Sequence, residues 1–213
     1  MRARRYVSLT GVAAIVLIFV GLGAAGSTPN GHASVTKVVA FYGAHGTAQA
    51  VSGVLVSFGA LLFLVFAATF AARLHRARPE LSAASALCLL GVGVLVVGLT
   101  ILAGVSITID DVAGHVGAST LQTLNVMADD AVFIFPVTIG TCAFLIGAAT
   151  AVLTAGVLPR WLGWLAVVLA VVAAIPSHVL GGTLDHIGFV GFAGLGVWTL
   201  IVGVLFTVRP DAT

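Results

Sequence analysis

The sequence predicts an all-α membrane protein: one transmembrane domain over residues 1–213, built as a six-helix bundle with both termini cytoplasmic and a short interfacial helix in the first outer loop. Three observations carry this reading. Hydrophobic residues make up 60% of the chain and charged residues only 8%, with a mean hydropathy of +1.21. Apolar runs of about twenty residues, enough at ~1.5 Å per helical residue to cross a hydrocarbon core of ~30 Å, recur along the whole length. The basic residues also gather at alternate junctions between these runs, as the positive-inside rule requires.

In chain order, the first span covers 6–25, after "MRARR" and before "GLGAAGS". That arrangement resembles a secretory signal, but the apolar run is long for one, and we read it as a retained helix. The outer segment 26–47 contains "SVTKVVAFYGAH". Here Ser34 can cap a short helix, and Val35, Val38, Val39 and Tyr42 fall near one face, with Lys37 turned to headgroups. Span 2 covers 48–72 and span 3 covers 82–105, joined by "RLHRARPE". A second outer segment, 106–122, precedes span 4 at 132–155; "AGVLPRW" then leads into span 5 at 161–178, and span 6 covers 188–207. The glycines of "GFVGFAGLG" in span 6 suit close helix packing.

Arg2, Arg4, Arg5, Arg73, Arg76, Arg78, Arg160 and Arg209 fall on one side of these spans and Lys37 alone on the other, which sets the arginine side as cytoplasmic. Asp110, Asp111, Asp129, Asp130 and Asp185 fall outside, with Glu80 and Asp211 inside. His32, His45, His115, His178 and His186 lie at the outer rim and His75 within. The outer rim is therefore where polar chemistry can be assembled.

Several classes are excluded. The inner connections are too short for a soluble catalytic domain. The glycines lack the strand-turn-helix context and the lysine of a phosphate loop, and the small basic clusters are explained by topology and anionic lipid without nucleic acid. Cys88 and Cys142 lie in different spans at different depths, which disfavours both a disulfide and a thiolate metal site. Trp161, Trp164 and Trp198 read as interfacial or packing anchors.

The stretch "LNVMADDAVFIFPVTIG" places Asp129 and Asp130 before span 4, about 9 Å beyond its outer hydrocarbon edge. At 100° per residue, Gln122, Asn125, Asp129, Phe133, Pro136, Gly140, Ala143, Gly147 and Ala151 share one line. Its lower half is a small-residue stripe suited to packing, so Asp129 is expected to face the bundle. Asp130 continues through Ile134, Val137, Thr141 and Phe144, which reads as a lipid-facing or peripheral line. Candidate catalytic groups are then Asp129 with His115, His178 or His186. Candidate ligand-binding groups are Gln122, Asn125 and Asp129. A divalent metal is possible at His45, Asp111, His115, His178, Asp185 and His186, whose donor types suit zinc, although no HxxxH or HExxH spacing is present. Wet loops account for the same residues without any site. Three classes stay open: binding of a lipid-like or other apolar molecule or of a membrane partner, an enzyme acting on an apolar substrate, and a transporter for protons or small ions. A homo-oligomer is compatible with each.

Three stretches, "GSTPNGHASVTKVVAFYGAHG", "FAARLHRARPELSAASA" and "TAGVLPRWLGWLAVVLA", resemble a group of actinobacterial multi-span integral membrane proteins whose domain is of unknown function. The resemblance covers most of the chain. It implies the fold and a bacterial plasma membrane, and supplies no catalytic residues.

Overall fold

The computed structural model describes residues 2–112, 115–127, 133–156, 158–175 and 187–208, with side chains described for all of these except 2–8, 110, 133, 134 and 187. Among the described residues the regular structure is helical throughout. The helices are α1 (Arg2–Ala24), α2 (Val35–Ala77), α3 (Ser82–Val112), α4 (Ala118–Val126), α5 (Phe133–Ala155), α6 (Arg160–Ala173) and α7 (Ile187–Val208), with a single 3-10 turn at Pro79–Leu81. Four of them, α2, α3, α5 and α7, are long and apolar enough to cross a membrane. The helix ends follow local chemistry. Gly26 and Gly156 take positive φ of 74° and 66°, two residues beyond α1 and one beyond α5, a conformation that ends a helix at low cost only for glycine. Pro79 holds Arg78 extended at φ −149° and ψ 106°, which stops α2.

Two expected boundaries are corrected. The short interfacial helix is not a separate element, because residues 35–47 begin the same 43-residue α-helix that continues to Ala77. No proline interrupts it, and Gly43 and Gly46 each weaken a helix by only about 1 kcal/mol. Its expected face also splits: Val38 and Tyr42 are buried, while Val35 and Val39 are exposed. Ser34 is the N-cap residue, but its side chain makes no capping bond. Helix α3 runs seven residues past the expected end of its span, to Val112. Both extensions persist because they pack on each other and on α4, forming a second small core of Val38, Tyr42, Ile109 and Leu121.

The six longer helices pack as a closed ring in the order α1, α2, α3, α5, α6, α7 and back to α1. Each is antiparallel to both neighbours: Gly11 meets Phe66 and Gly21 meets Val56; Gly53 of α2 meets Ile107 of α3, which follows the short Pro79–Leu81 turn; Gly147 meets Ala84 and Gly98 meets Pro136; Gly163 meets Leu153 and Cys142 meets Ala170; Gly191 meets Ala173 and Gly194 meets Leu169; and Phe192 meets Phe19 while Gly196 meets Ile15. The chain thus enters α1 and leaves α7 at one end, the arginine end, and the segment 25–34 lies at the other. The ring is filled by aromatic rings: Phe63, Phe66 and Phe70 of α2, Phe144 of α5, and Trp198 and Phe206 of α7. Trp198 stands edge-on to Phe70 and Phe144, each at 5.7 Å, and its Nε1 donates to the Leu162 carbonyl of α6 at 3.0 Å. Outward faces carry Val54, Phe58, Val97, Ile139, Val168 and Val197, all exposed.

Candidate functional site

Polar side chains converge at the end opposite the arginines, around the strap of residues 25–33 that links α1 to α2. Asn125 of α4, 2% exposed, is the hub. Its Nδ2 donates to the carbonyls of Pro29 (3.2 Å) and Asn30 (3.3 Å), and its Oδ1 accepts from the Tyr42 hydroxyl at 3.1 Å. One turn earlier, Gln122 Nε2 donates to the carbonyls of Gly31 (3.2 Å) and Ala33 (3.0 Å). Gln49 of α2, 1% exposed, donates to the Ala25 carbonyl at 3.0 Å, where the strap leaves α1. The acceptors that Gln49, Gln122 and Asn125 reach on the strap are backbone carbonyls, so amide donors satisfy a segment that has no ladder of its own. Each such bond contributes about 1 kcal/mol net, and more is lost when a buried partner is left unmade.

The expected ligand groups Gln122 and Asn125 therefore do come together, but their donors are engaged by the strap. Gln122 Oε1 is buried without a hydrogen-bond partner among the described residues. Asp129, Asp130, His178, Asp185 and His186 lie outside the described residues, as does the side chain of Asp110. His45, Asp111 and His115 are exposed. His45 stacks on Phe41 at 4.5 Å, and its Nδ1 lies 2.9 Å from the Phe41 carbonyl. A carbonyl only accepts, so this bond puts a ring proton on Nδ1. His115 Nδ1 lies 3.3 Å from the Asp111 carbonyl at the end of the described part of α3. Among the described residues no group of three or more His, Cys, Asp or Glu could hold a metal ion.

The line assigned to lipid is corrected. Val137, Thr141 and Phe144 are 2%, 1% and 0% exposed, because α5 is flanked by α3 and α6 and also reaches α2 and α7 across the ring. The basis for turning Asp130 outward is thereby removed. The small-residue stripe does pack: Gly140 lies against Gly91 and Leu95, and Gly147 against Ala84 and Cys88. Sequence reasoning misses Gln49, although a lone amide at the head of an apolar run is a signal, since lipid offers it no partner. Both cysteines are free thiols, the Cys88 and Cys142 sulfurs facing the Phe144 and Ala170 carbonyls.

Replacing Asn125 with Ala removes three hydrogen bonds and should destabilise the strap by roughly 2 kcal/mol, about a thirtyfold increase in its opening. Hydrogen exchange of the amides at 26–34 should rise accordingly while those of α3 and α5 stay unchanged. Exchange unchanged in the strap would show that these bonds do not hold it.

Among the described residues the protein is all-helical, with four helices long and apolar enough to cross a membrane, as a multi-pass membrane protein has, and with a strap that amide donors of α2 and α4 hold at one end. No family model, curated protein or solved structure matches the chain.

Proposed function

We propose that this is a six-span protein of a bacterial plasma membrane, with both termini cytoplasmic, that binds a lipid-like or other apolar molecule within its ring, beneath a strapped outer face. The alternation of helix direction around the ring supports counting α1 and α6 as spans beside the four longer helices. A 43-residue helix is about 65 Å long, more than twice the hydrocarbon thickness, so the first turns of α2, the end of α3, α4 and the strap are read as one cap outside the bilayer. The resemblance to actinobacterial multi-span proteins is in keeping with this location.

The observation that carries the ligand reading is a crevice at the seam of α1 and α7. Ile15 and Phe19 of α1, Phe192 and Gly196 of α7, Phe63 of α2 and Leu95 of α3 line it, so its walls are wholly apolar. It holds about 10 Å³, room for roughly one water-sized sphere, so an acyl chain enters only as the lining side chains repack; Phe19 and Phe192, 5.8 Å apart, form part of that lining. A phospholipid with a photoactivatable acyl chain should label peptides containing Phe19 and Phe192 above the lipid-facing background at Val54 and Val97. Gly196→Leu, which builds side-chain atoms where a Cβ alone would lie 2.7 Å from the Phe19 ring, should reduce that excess. Even labelling around the ring would defeat the ligand reading.

The topology has its own test. Single cysteines at Ala77 and Ala118, in a chain lacking Cys88 and Cys142, should react with an impermeant reagent from opposite faces of the membrane. Reaction of both from outside would overturn the six-span arrangement.

A further inference from the structure

We infer that the arginine end of the ring carries a binding surface for anionic phospholipid, a reading that rests on the membrane-spanning arrangement proposed above. Arg76 and Arg78 are exposed where α2 turns into α3, and Arg160 is exposed as the first residue of α6. They share one end of the bundle: α6 starts beside the end of α5, with Gly163 on Leu153, and α5 packs on the start of α3, with Gly147 on Ala84. Arg76 Nε donates to the Ala72 carbonyl of its own helix at 3.0 Å, and the neighbouring Glu80 is exposed. Arg73 differs, since its guanidinium lies over the Phe206 ring at 4.4 Å and belongs to the packing of α2 on α7.

The surface beside these cations identifies the anion they would meet. Trp161 and Trp164, 53% and 63% exposed, stand one turn apart on α6, directly after Arg160. The same outward face continues through Val168 and Val171, both exposed. Indole rings with an apolar stripe on one side and guanidinium groups on the other mark the level where acyl chains give way to headgroups. A guanidinium fork matches two phosphate oxygens, and a headgroup with net negative charge supplies countercharge where, among the described residues, three exposed arginines stand beside the single carboxylate of Glu80. Each such arginine near a surface is worth about a fivefold preference for anionic lipid at physiological salt. Some of that is shared or screened, so about tenfold is expected for the three together.

The test uses the full chain in vesicles of phosphatidylcholine and phosphatidylglycerol, with one or the other lipid dibrominated, and reads tryptophan quenching. Trp198, 0% exposed, supplies a constant unquenched background, so the change reports Trp161 and Trp164. Brominated phosphatidylglycerol should occupy their surroundings about tenfold more tightly than brominated phosphatidylcholine. The preference should fall to near parity in R76Q/R78Q/R160Q, whose sites are exposed and outside the core, and persist in part in R76K/R78K/R160K. Equal quenching by the two lipids, or a preference unchanged by the triple Gln variant, overturns the lipid surface while leaving the spans standing. If neither lipid quenches beyond a buried-indole level, the membrane placement of α6 fails and this inference fails with it.

Discussion

Gly140→Leu is expected to prevent the ring from assembling, and Gly140→Ala to destabilise it by about 3 kcal/mol or more. A Cβ at Gly140 would lie 2.6 Å from the Gly91 carbonyl oxygen and against the backbone nitrogen of Leu95. Both are main-chain atoms, so no rotamer change relieves the clash and α3 must move away from α5. Moving it also loosens the contacts of Gly98 with Pro136 and of Gly147 with Ala84 and Cys88 along the same seam. Overpacking a well-filled interior typically costs about 1–3 kcal/mol, and rigid backbone on both sides places this site at the top of that range or beyond it. The matched control is Gly93→Ala, where nothing lies within 4 Å of the added carbon. That change should be neutral or stabilising by up to about 1 kcal/mol through helix propensity. Thermal unfolding of the purified chain in detergent separates the two, and a Gly140→Ala melting point within a few degrees of the parent would refute the close-packed seam.

Trp198→Ala should cost about 3–5 kcal/mol, the range for removing a buried aromatic ring. Trp198 is fully buried, touches aromatic rings of α2 and α5, and hydrogen-bonds α6, so it ties its own helix to three others. The unfolded reference in lipid is already apolar, so the loss is mainly of dispersion contacts around the void together with the Nε1 bond. Trp198→Phe keeps most of the ring contacts and should lose about 1 kcal/mol for the hydrogen bond plus part of the packing. Its stability should therefore fall between parent and Trp198→Ala. Equal loss in both variants would assign the whole effect to the hydrogen bond, and no loss in either would remove Trp198 from the core.

Much of the helical framework is legible in the sequence. The end of α5 at Ala155, the break at Pro79, and the packing role of Gly147 and of the glycines around Gly191 follow from local chemistry and from small-residue spacing. The strap was only half legible. Gln122 and Asn125 stand out as polar residues on one line, but that line cannot reveal that their partners are carbonyls some ninety residues away, at Pro29, Asn30, Gly31 and Ala33. Tyr42 reads as one more residue on an apolar face and Gln49 goes unread, because an acceptor supplied by the backbone of another segment leaves no mark in its own sequence. The error at Val137, Thr141 and Phe144 has a different cause: the helical phase was right, but two faces of α5 are buried rather than one.

By itself the sequence determined that these segments are helices, roughly where they begin and end, and which end of the bundle carries the arginines. Those properties are local, because a chain in lipid must satisfy its backbone hydrogen bonds within each segment, and proline, glycine and charge mark the limits. Only the tertiary structure decided that α1 closes the ring against α7, that α2 and α3 extend into a shared second core, and which residues of each helix face inward. Where lipid and protein interior are equally apolar, hydropathy carries no contrast between the outside of a helix and its buried side, so that choice falls to the shape of the packed side chains.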